Sequence, residues 1–201
     1  MAVTASPKVS STIGLKNVVI APLTTDTEEE HTYGAVQAVA GAIEATITPE
    51  NSDPDIQYAD DVEFDVLYPD PKLTFSLKLA DIPLTIQEMI LNNTIDDNGV
   101  LVRSASDKPP YFAVGFESEK SSGAFRYVWL YKVRAKPVTE TYQTKEGDTV
   151  TRQTGSVEFT AIKRTHDGRY QAVADEGENS FTAEKAATFL DTVYEPTFTQ
   201  T

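Results

Sequence analysis

Two neighbouring stretches of strict period-two alternation constrain this chain more than anything else in it. In residues 61–68, Val62, Phe64, Val66 and Tyr68 alternate with Asp61, Glu63 and Asp65. In residues 72–79, Leu73, Phe75, Leu77 and Leu79 alternate with Lys72, Thr74, Ser76 and Lys78. A repeat of two is that of a strand with one dry and one wet face. Tyr68-Pro69-Asp70-Pro71 reads as a turn between them, so the two runs are expected to pair as a hairpin. Taking Val62, Phe64 and Val66 out of water contributes about 1.5–3 kcal/mol each. That places them in the core and leaves the three carboxylates wet.

The same signal recurs along the chain, helped by 25 threonines and 18 Tyr and Phe residues, types that suit a pleated, half-buried surface. A first strand is read at 15–23. In a second, at 42–48, Ile43, Ala45 and Ile47 face in, with Glu44, Thr46 and Thr48 out. Residues 111–116 and 125–134 form a hairpin across the polar loop 119–123. In its second arm Phe125, Tyr127, Trp129, Tyr131 and Val133 share one face, with Val128 and Leu130 on the other. A strand apolar on both faces is covered on both. Core alternation returns at 157–162, and Asp167-Gly168 signals a tight hairpin into a strand at 169–174. Helices are read at 83–92, with Pro83 at its first position and Leu84, Ile86, Met89, Ile90 and Leu91 as its stripe, and at 183–193. In the second, Thr182 is the N-cap and Ala186, Phe189, Leu190 and Val193 are buried. The result is a mainly β (α+β) body over 13–195, a single domain. A floppy arm (1–12) and a loose tail (196–201) flank it, and a polar ribbon at 137–156 projects from it, turning around Lys145 to Asp148.

Charge and composition remove whole classes of function. The net charge is −14, and no Lys or Arg lies between Lys16 and Lys72. Tight binding of nucleic acid through a basic groove is therefore disfavoured. There is no cysteine, hence no disulfide framework, thiolate metal site or cysteine nucleophile. The longest aliphatic run, Val18-Val19-Ile20-Ala21, is far short of the roughly 20 residues of a membrane span, and residues 1–12 lack the apolar core of a signal peptide.

Catalytic constellations are not found. The two histidines, His31 and His166, lie in an acidic loop and beside a tight turn, without the context of a nucleophile elbow. Asp53, Asp55, Asp60 and Asp61, or Asp96, Asp97 and Asn98 beside Gly99, are possible calcium ligands, but the full calcium loop is missing and turn chemistry accounts for them. Glu63 and Asp65 share a strand face as a glycosidase pair could, though without an aromatic sugar platform. No glycine-rich phosphate cradle is present. No enzyme and no cofactor are expected. Arm, ribbon and strand edges suit an assembly part, since edges can be finished by neighbouring copies. A monomeric β-sandwich binding module, such as an adhesin or carbohydrate-binding domain, is the alternative, with a hydrolase behind it. Trp129 and Tyr131 read as core or inter-subunit packing.

Several segments bear a specific likeness. Gly14-Leu15-Lys16-Asn17-Val18-Val19-Ile20-Ala21, Ala59-Asp60-Asp61-Val62-Glu63-Phe64, Leu79-Ala80-Asp81-Ile82-Pro83, Pro110-Tyr111-Phe112-Ala113-Val114-Gly115-Phe116, residues 125–136 and Gly155-Ser156-Val157-Glu158-Phe159-Thr160-Ala161 resemble the phi13-type major tail (tail tube) proteins of long, non-contractile-tailed bacteriophages. The likeness runs from about residue 13 to 195. It implies two packed antiparallel sheets, a sandwich or partial barrel with one or two flanking helices. It also implies hexameric rings stacked into a hollow tube around the tape measure protein, other tail proteins at the tube ends, and viral DNA passing transiently through the lumen. Location in the virion tail, assembly in the host cytoplasm and no membrane contact follow. The arm and the ribbon, with Lys145, Glu146, Gly147, Asp148, Thr151 and Arg152, would touch the next ring. A conduit should not hold its cargo, and carboxylates lining it repel phosphate. Asp61, Glu63 and Asp65 are the first candidates for the lumen and Glu158 the second. The same acids facing outward would serve solubility alone.

Overall fold

The computed structural model describes residues 10–50, 55–59, 62–67, 70–140, 144, 154–178 and 180–198. The elements run in the order β1 (Thr12–Asp26), β2 (His31–Tyr33), β3 (Gln37–Ala38), β4 (Ala42–Glu50), β5 (Asp55–Ala59), β6 (Val62–Leu67), β7 (Lys72–Leu79), α1 (Leu84–Leu91), β8 (Thr94–Ile95) and β9 (Leu101–Val102). Then follow β10 (Tyr111–Lys120), β11 (Phe125–Ala135), β12 (Gly155–Ala161), β13 (Gln171–Asp175) and α2 (Ala183–Thr188). Among the described residues, nine strands form one antiparallel sheet, ordered β2–β1–β10–β11–β12–β7–β4, with β3 beside β1 and β13 beside β11.

The fold is mainly β, as read: a large antiparallel sheet, smaller two-stranded sheets β5–β6 and β8–β9, and two helices. Among the described residues the large sheet curls over itself without closing into a barrel. Phe75 of β7 stacks on Phe116 of β10 at 5.9 Å and on Phe159 at 5.4 Å, although β11 and β12 separate β7 from β10 in the sheet. Inside the curl, Leu73, Phe75, Leu77 and Leu79 meet Val18, Ile20, Val114 and Leu130, with Ile90 and Leu91 of α1 closing one end. On the convex side Tyr127, Trp129 and Tyr131 pack with Ala186, Phe189 and Val193 of α2 and the segment after it. β11 is thus covered on both faces, as its sequence requires, and Trp129 and Tyr131 are core residues. Gly115 lies opposite Trp129 in the ladder, and a Cβ there would sit 2.9 Å from the indole.

Four expectations are corrected. The ladder slips near Tyr131: Phe112 faces Val133, but Val114 faces Leu130. The irregularity moves Val133 to the inner cluster with Val128 and Leu130. A second bulge, between Ala42 and Glu44, turns Ile43 out of its expected inner row to 49% exposure. Asp167-Gly168 does not join a hairpin. β12 and β13 lie end to end along the same edge of β11, Ala161 opposite Val133 and Gln171 opposite Leu130, and 162–170 loops out between them. The helices are shorter than read. Pro83 is the cap before α1, and Asn92 ends it in the left-handed region at φ 59°. Gln87 takes the buried place beside Ile90 and Leu91, while Leu84 faces water. α2 stops at Thr188, and the Phe189 carbonyl accepts from Trp129 Nε1 at 2.9 Å, a bond that stands in for the next helical turn. The Ser121 N–H donates to the Ser11 carbonyl at 2.7 Å.

The largest departure concerns the opening motif. β6 pairs with β5, not β7, while β7 lies between β4 and β12. The two ladders nevertheless share one register. Glu50 faces Lys72, and Asp55, five residues later, faces Leu67, five residues earlier. The pair β5–β6 forms a two-stranded sheet of its own outside the nine-stranded one, in the same register as β4–β7. Phe64 and Val66 are not core residues: Phe64 is 73% exposed, and Val66 and Ile56 are open to solvent as well.

Candidate assembly site

The ribbon β5–β6 is the first feature that the subunit does not complete for itself. In β7 the odd-numbered residues are apolar and buried. In β6 the even-numbered Phe64 and Val66 are apolar and exposed. The dry stripe therefore changes sides along one hairpin, and a stripe out of phase with its own core meets no partner there. A two-stranded ribbon is marginal by itself, and exposed Ile56, Phe64 and Val66 add apolar surface of the kind that interfaces cover. Asp65, opposite Gln57 in the ladder, is exposed, and its Oδ1 accepts from the Val66 backbone at 2.9 Å. Glu63 stands opposite Tyr58 in β6. Asp61 lies outside the described residues.

The second feature is the edge strand β4, the end of the sheet path. Pro49, Glu50, Glu44 and the bulge at Ile43 confine any added pairing to the middle of the strand. Beside it, the outer face of β4–β7–β12 is built in rows: Thr46, Ser76 and Glu158 in register, then Thr48, Thr74 and Thr160. Glu44 faces Lys78 and Glu50 faces Lys72 across the ladder. The Thr74 hydroxyl donates to Glu50 Oε1 at 2.6 Å, and Lys136 Nζ lies 3.2 Å from Glu158 Oε2. Glu158 is thus on the main sheet and Asp65 on the ribbon, and no shared patch joins them. The read inter-ring residues Lys145, Glu146, Gly147, Asp148, Thr151 and Arg152 lie outside the described residues. Near the same segment, Thr139 bridges Ser156 antiparallel.

The charged clusters that the sequence did not announce are clamps. Arg164 is fully buried and forks to Asp167 at 2.6 Å and Glu195 at 2.7 Å, with Tyr33 Oη at 3.5 Å and its guanidinium 4.2 Å over Tyr131. Burial opposes its charge, but the two carboxylates more than restore it and raise its pKa. Burial likewise pushes up the Tyr33 and Tyr131 hydroxyls. His31 Nε2 lies 3.0 Å from Glu195, and its ring lies 4.8 Å from that of His166 at a 44° tilt; both histidines pin loops. Asp96 receives the Asn98 and Val100 backbone N–H groups, the turn role read for it.

Two further carboxylates hold strands together. Burial works against the Asp26 charge, yet Lys132 and the N–H groups of Thr165 and His166 overcome it and hold its pKa at about 2. Arg126, opposed by burial and aided by Lys120, holds Asp175 at about 2. Both values lie below the unfolded ~3.9, so the stabilisation is complete above about pH 4 and is lost as the pH falls through 2. Each contributes on the order of 2 kcal/mol. Denaturant titrations should show stability falling between pH 4 and pH 2, and Asp26→Asn should flatten that slope.

An open groove of about 630 Å³ lies between α2 and the C-terminal segment, lined by Phe181, Phe189, Val193 and Tyr194. No acidic pair lines it. The features that remain unfinished are therefore a ribbon and an edge, which other polypeptide can complete. A family model described as phage tail tube protein matches residues 12–195. The chain belongs to that family. No curated protein matches it. As a phage tail tube protein it is a structural component of the virion tail, and the family implies self-assembly into the tail tube. Among the described residues no helix of this tail tube protein is long and apolar enough to cross a membrane.

Proposed function

We propose that six copies of this tail tube protein close into a ring and that rings stack around the tape measure protein. The resulting non-contractile tube, assembled in the host cytoplasm and joined to other tail proteins at its ends, conducts the genome during ejection. The ribbon β5–β6 carries this reading. Its apolar residues are out of phase with the core of their own subunit, and a second copy of the chain gives them cover. A ring also finishes the β4 edge, because a head-to-tail interface that closes leaves no free strand. A monomeric binding module has no use for either feature. The residues read at 137–156 and the N-terminal arm join the ring-to-ring contact in this proposal.

With Ile56 and Val66 covered, the opposite side of the ribbon, with Asp65, stays wet. In this proposal Asp61, Glu63 and Asp65 present carboxylates to the bore where rings meet, and Glu158 does so within a ring. Electron microscopy of the purified protein at high concentration should show rings or hollow filaments; particles of 22 kDa alone would count against the reading. Phage carrying Glu63→Lys with Asp65→Lys should assemble tails of normal length and deliver their genomes at least tenfold more slowly. Unchanged delivery removes these acids from the bore.

A further inference from the structure

We infer that the groove between α2 and the C-terminal segment seats residues 1–9 of the same chain while the subunit is unassembled. The floor of the groove is a continuous aromatic strip, with the rings of Phe181 and Phe189 5.2 Å apart and those of Phe189 and Tyr194 4.9 Å apart. Val193 lines it too, with Thr188 and Thr192 as hydroxyl-bearing neighbours. Tyr194 faces water in the bare groove. An aromatic floor with hydroxyls beside it suits an extended, uncharged peptide: the rings take its apolar side chains and the hydroxyls its backbone.

The residues before Ser10 fit this groove by position, length and composition. The Ser11 N–H donates to Ser121 Oγ at 3.2 Å, and the Ser11 carbonyl accepts from the Ser121 N–H. The segment therefore departs from the turn between β10 and β11. That turn leads to the groove. The Phe125 N–H donates to Glu176 Oε2, the Glu176 N–H donates to the Phe125 carbonyl, and the Gly177 N–H donates to the carbonyl of Phe181, a groove residue. Nine extended residues reach at most about 30 Å, against a rise of about 9 Å along the six residues of α2. Met1-Ala2-Val3-Thr4-Ala5-Ser6-Pro7-Lys8-Val9 has a single charged side chain, Lys8. It lies next to the point of departure, on the side where Glu176 and Glu178 belong to the connecting turn. Residues 1–7 carry no side-chain charge to desolvate on an apolar floor, and Pro7 holds the backbone around it extended.

A seat within one chain acts at an effective concentration on the order of millimolar. It outcompetes other copies in dilute protein and yields where copies crowd at a growing end. The groove thus stores the arm that later reaches the next ring. The storage role rests on the tube reading; occupancy of the groove does not.

The absence of cysteine gives a clean test. Val3→Cys with Thr192→Cys, oxidised with diamide as dilute, unassembled protein, should form a disulfide within one chain. It should form at least tenfold faster than in Val3→Cys with Thr46→Cys, whose second thiol lies on β4 across the sheet. Equal rates for the two pairs, or disulfides only between chains, overturn the proposal. Deleting residues 1–9 should speed hydrogen exchange over residues 188–197 at least tenfold and leave β11 unchanged; unaltered exchange over 188–197 overturns it as well. The oxidised double variant should form tubes only after reduction. Tubes formed equally well before and after reduction overturn the storage role. Wild-type chain that forms no hollow tubes defeats the tube reading instead, and the disulfide and exchange results still decide the groove.

Discussion

Truncating Arg164 to alanine should lower the free energy of unfolding by about 3–5 kcal/mol, the usual cost of removing one partner from a buried ionic cluster. The guanidinium is wholly enclosed, and four groups depend on it: Asp167, Glu195, the Tyr33 hydroxyl and the Tyr131 ring. Asp167 retains Arg169 at 2.6 Å, whereas Glu195 keeps only His31 Nε2 at 3.0 Å, so the larger loss falls on Glu195 and the segment around it. Lysine should not rescue, because it lacks the planar fork that reaches two carboxylates at once. Urea unfolding of both variants measures the loss. Hydrogen exchange should show residues 189–198 opening ahead of the sheet. A loss below 1 kcal/mol for Arg164→Ala would show that the cluster is ornamental.

Phe64→Glu should leave the folded subunit intact and prevent polymerisation. The side chain is mostly in water in the single copy, so its replacement should change monomer stability by less than about 0.5 kcal/mol. In an interface, an aromatic anchor costs about 2 kcal/mol or more when removed, or about 30-fold in affinity per contact. A ring needs every contact, so the critical concentration should rise by at least that factor. Phe64→Leu should retain assembly. Sedimentation velocity and thermal melting of the three proteins separate the two effects. Tubes formed equally well by Phe64→Glu would remove the ribbon from the assembly contact.

The strands were legible where one face is dry. β7, β11 as far as Tyr131 and the inner stripe of β12 follow directly from alternation. The error over Phe64 and Val66 has a definite cause. Alternation reports that a strand has an apolar face, and says nothing about whose surface covers that face. Proximity in sequence then favoured pairing β6 with β7, whereas β6 pairs with β5, and β7 with β4 and β12. The bulges at Ile43 and near Tyr131 were hidden because one inserted residue leaves the composition of a run unchanged while inverting its sides. Gln87 reads as solvent-facing by type; its burial depends on the Ile82 carbonyl at 3.1 Å and on Arg103, 16 residues away. The Arg164 and Asp26 clusters join positions up to 140 apart, and no local pattern encodes such a meeting.

The common register of β4–β5 and β6–β7 has a mechanical consequence. Whatever grips the tip of that hairpin pulls along the strands, and ladder hydrogen bonds lie across them. Load entering at the tip reaches β12 and then β11 in shear, so many bonds must fail together before the body yields. An attachment at the free side of β4 would instead unzip the ladder one bond at a time. A filament strung together through its hairpins would resist stretching far better than the same bricks glued along their rims.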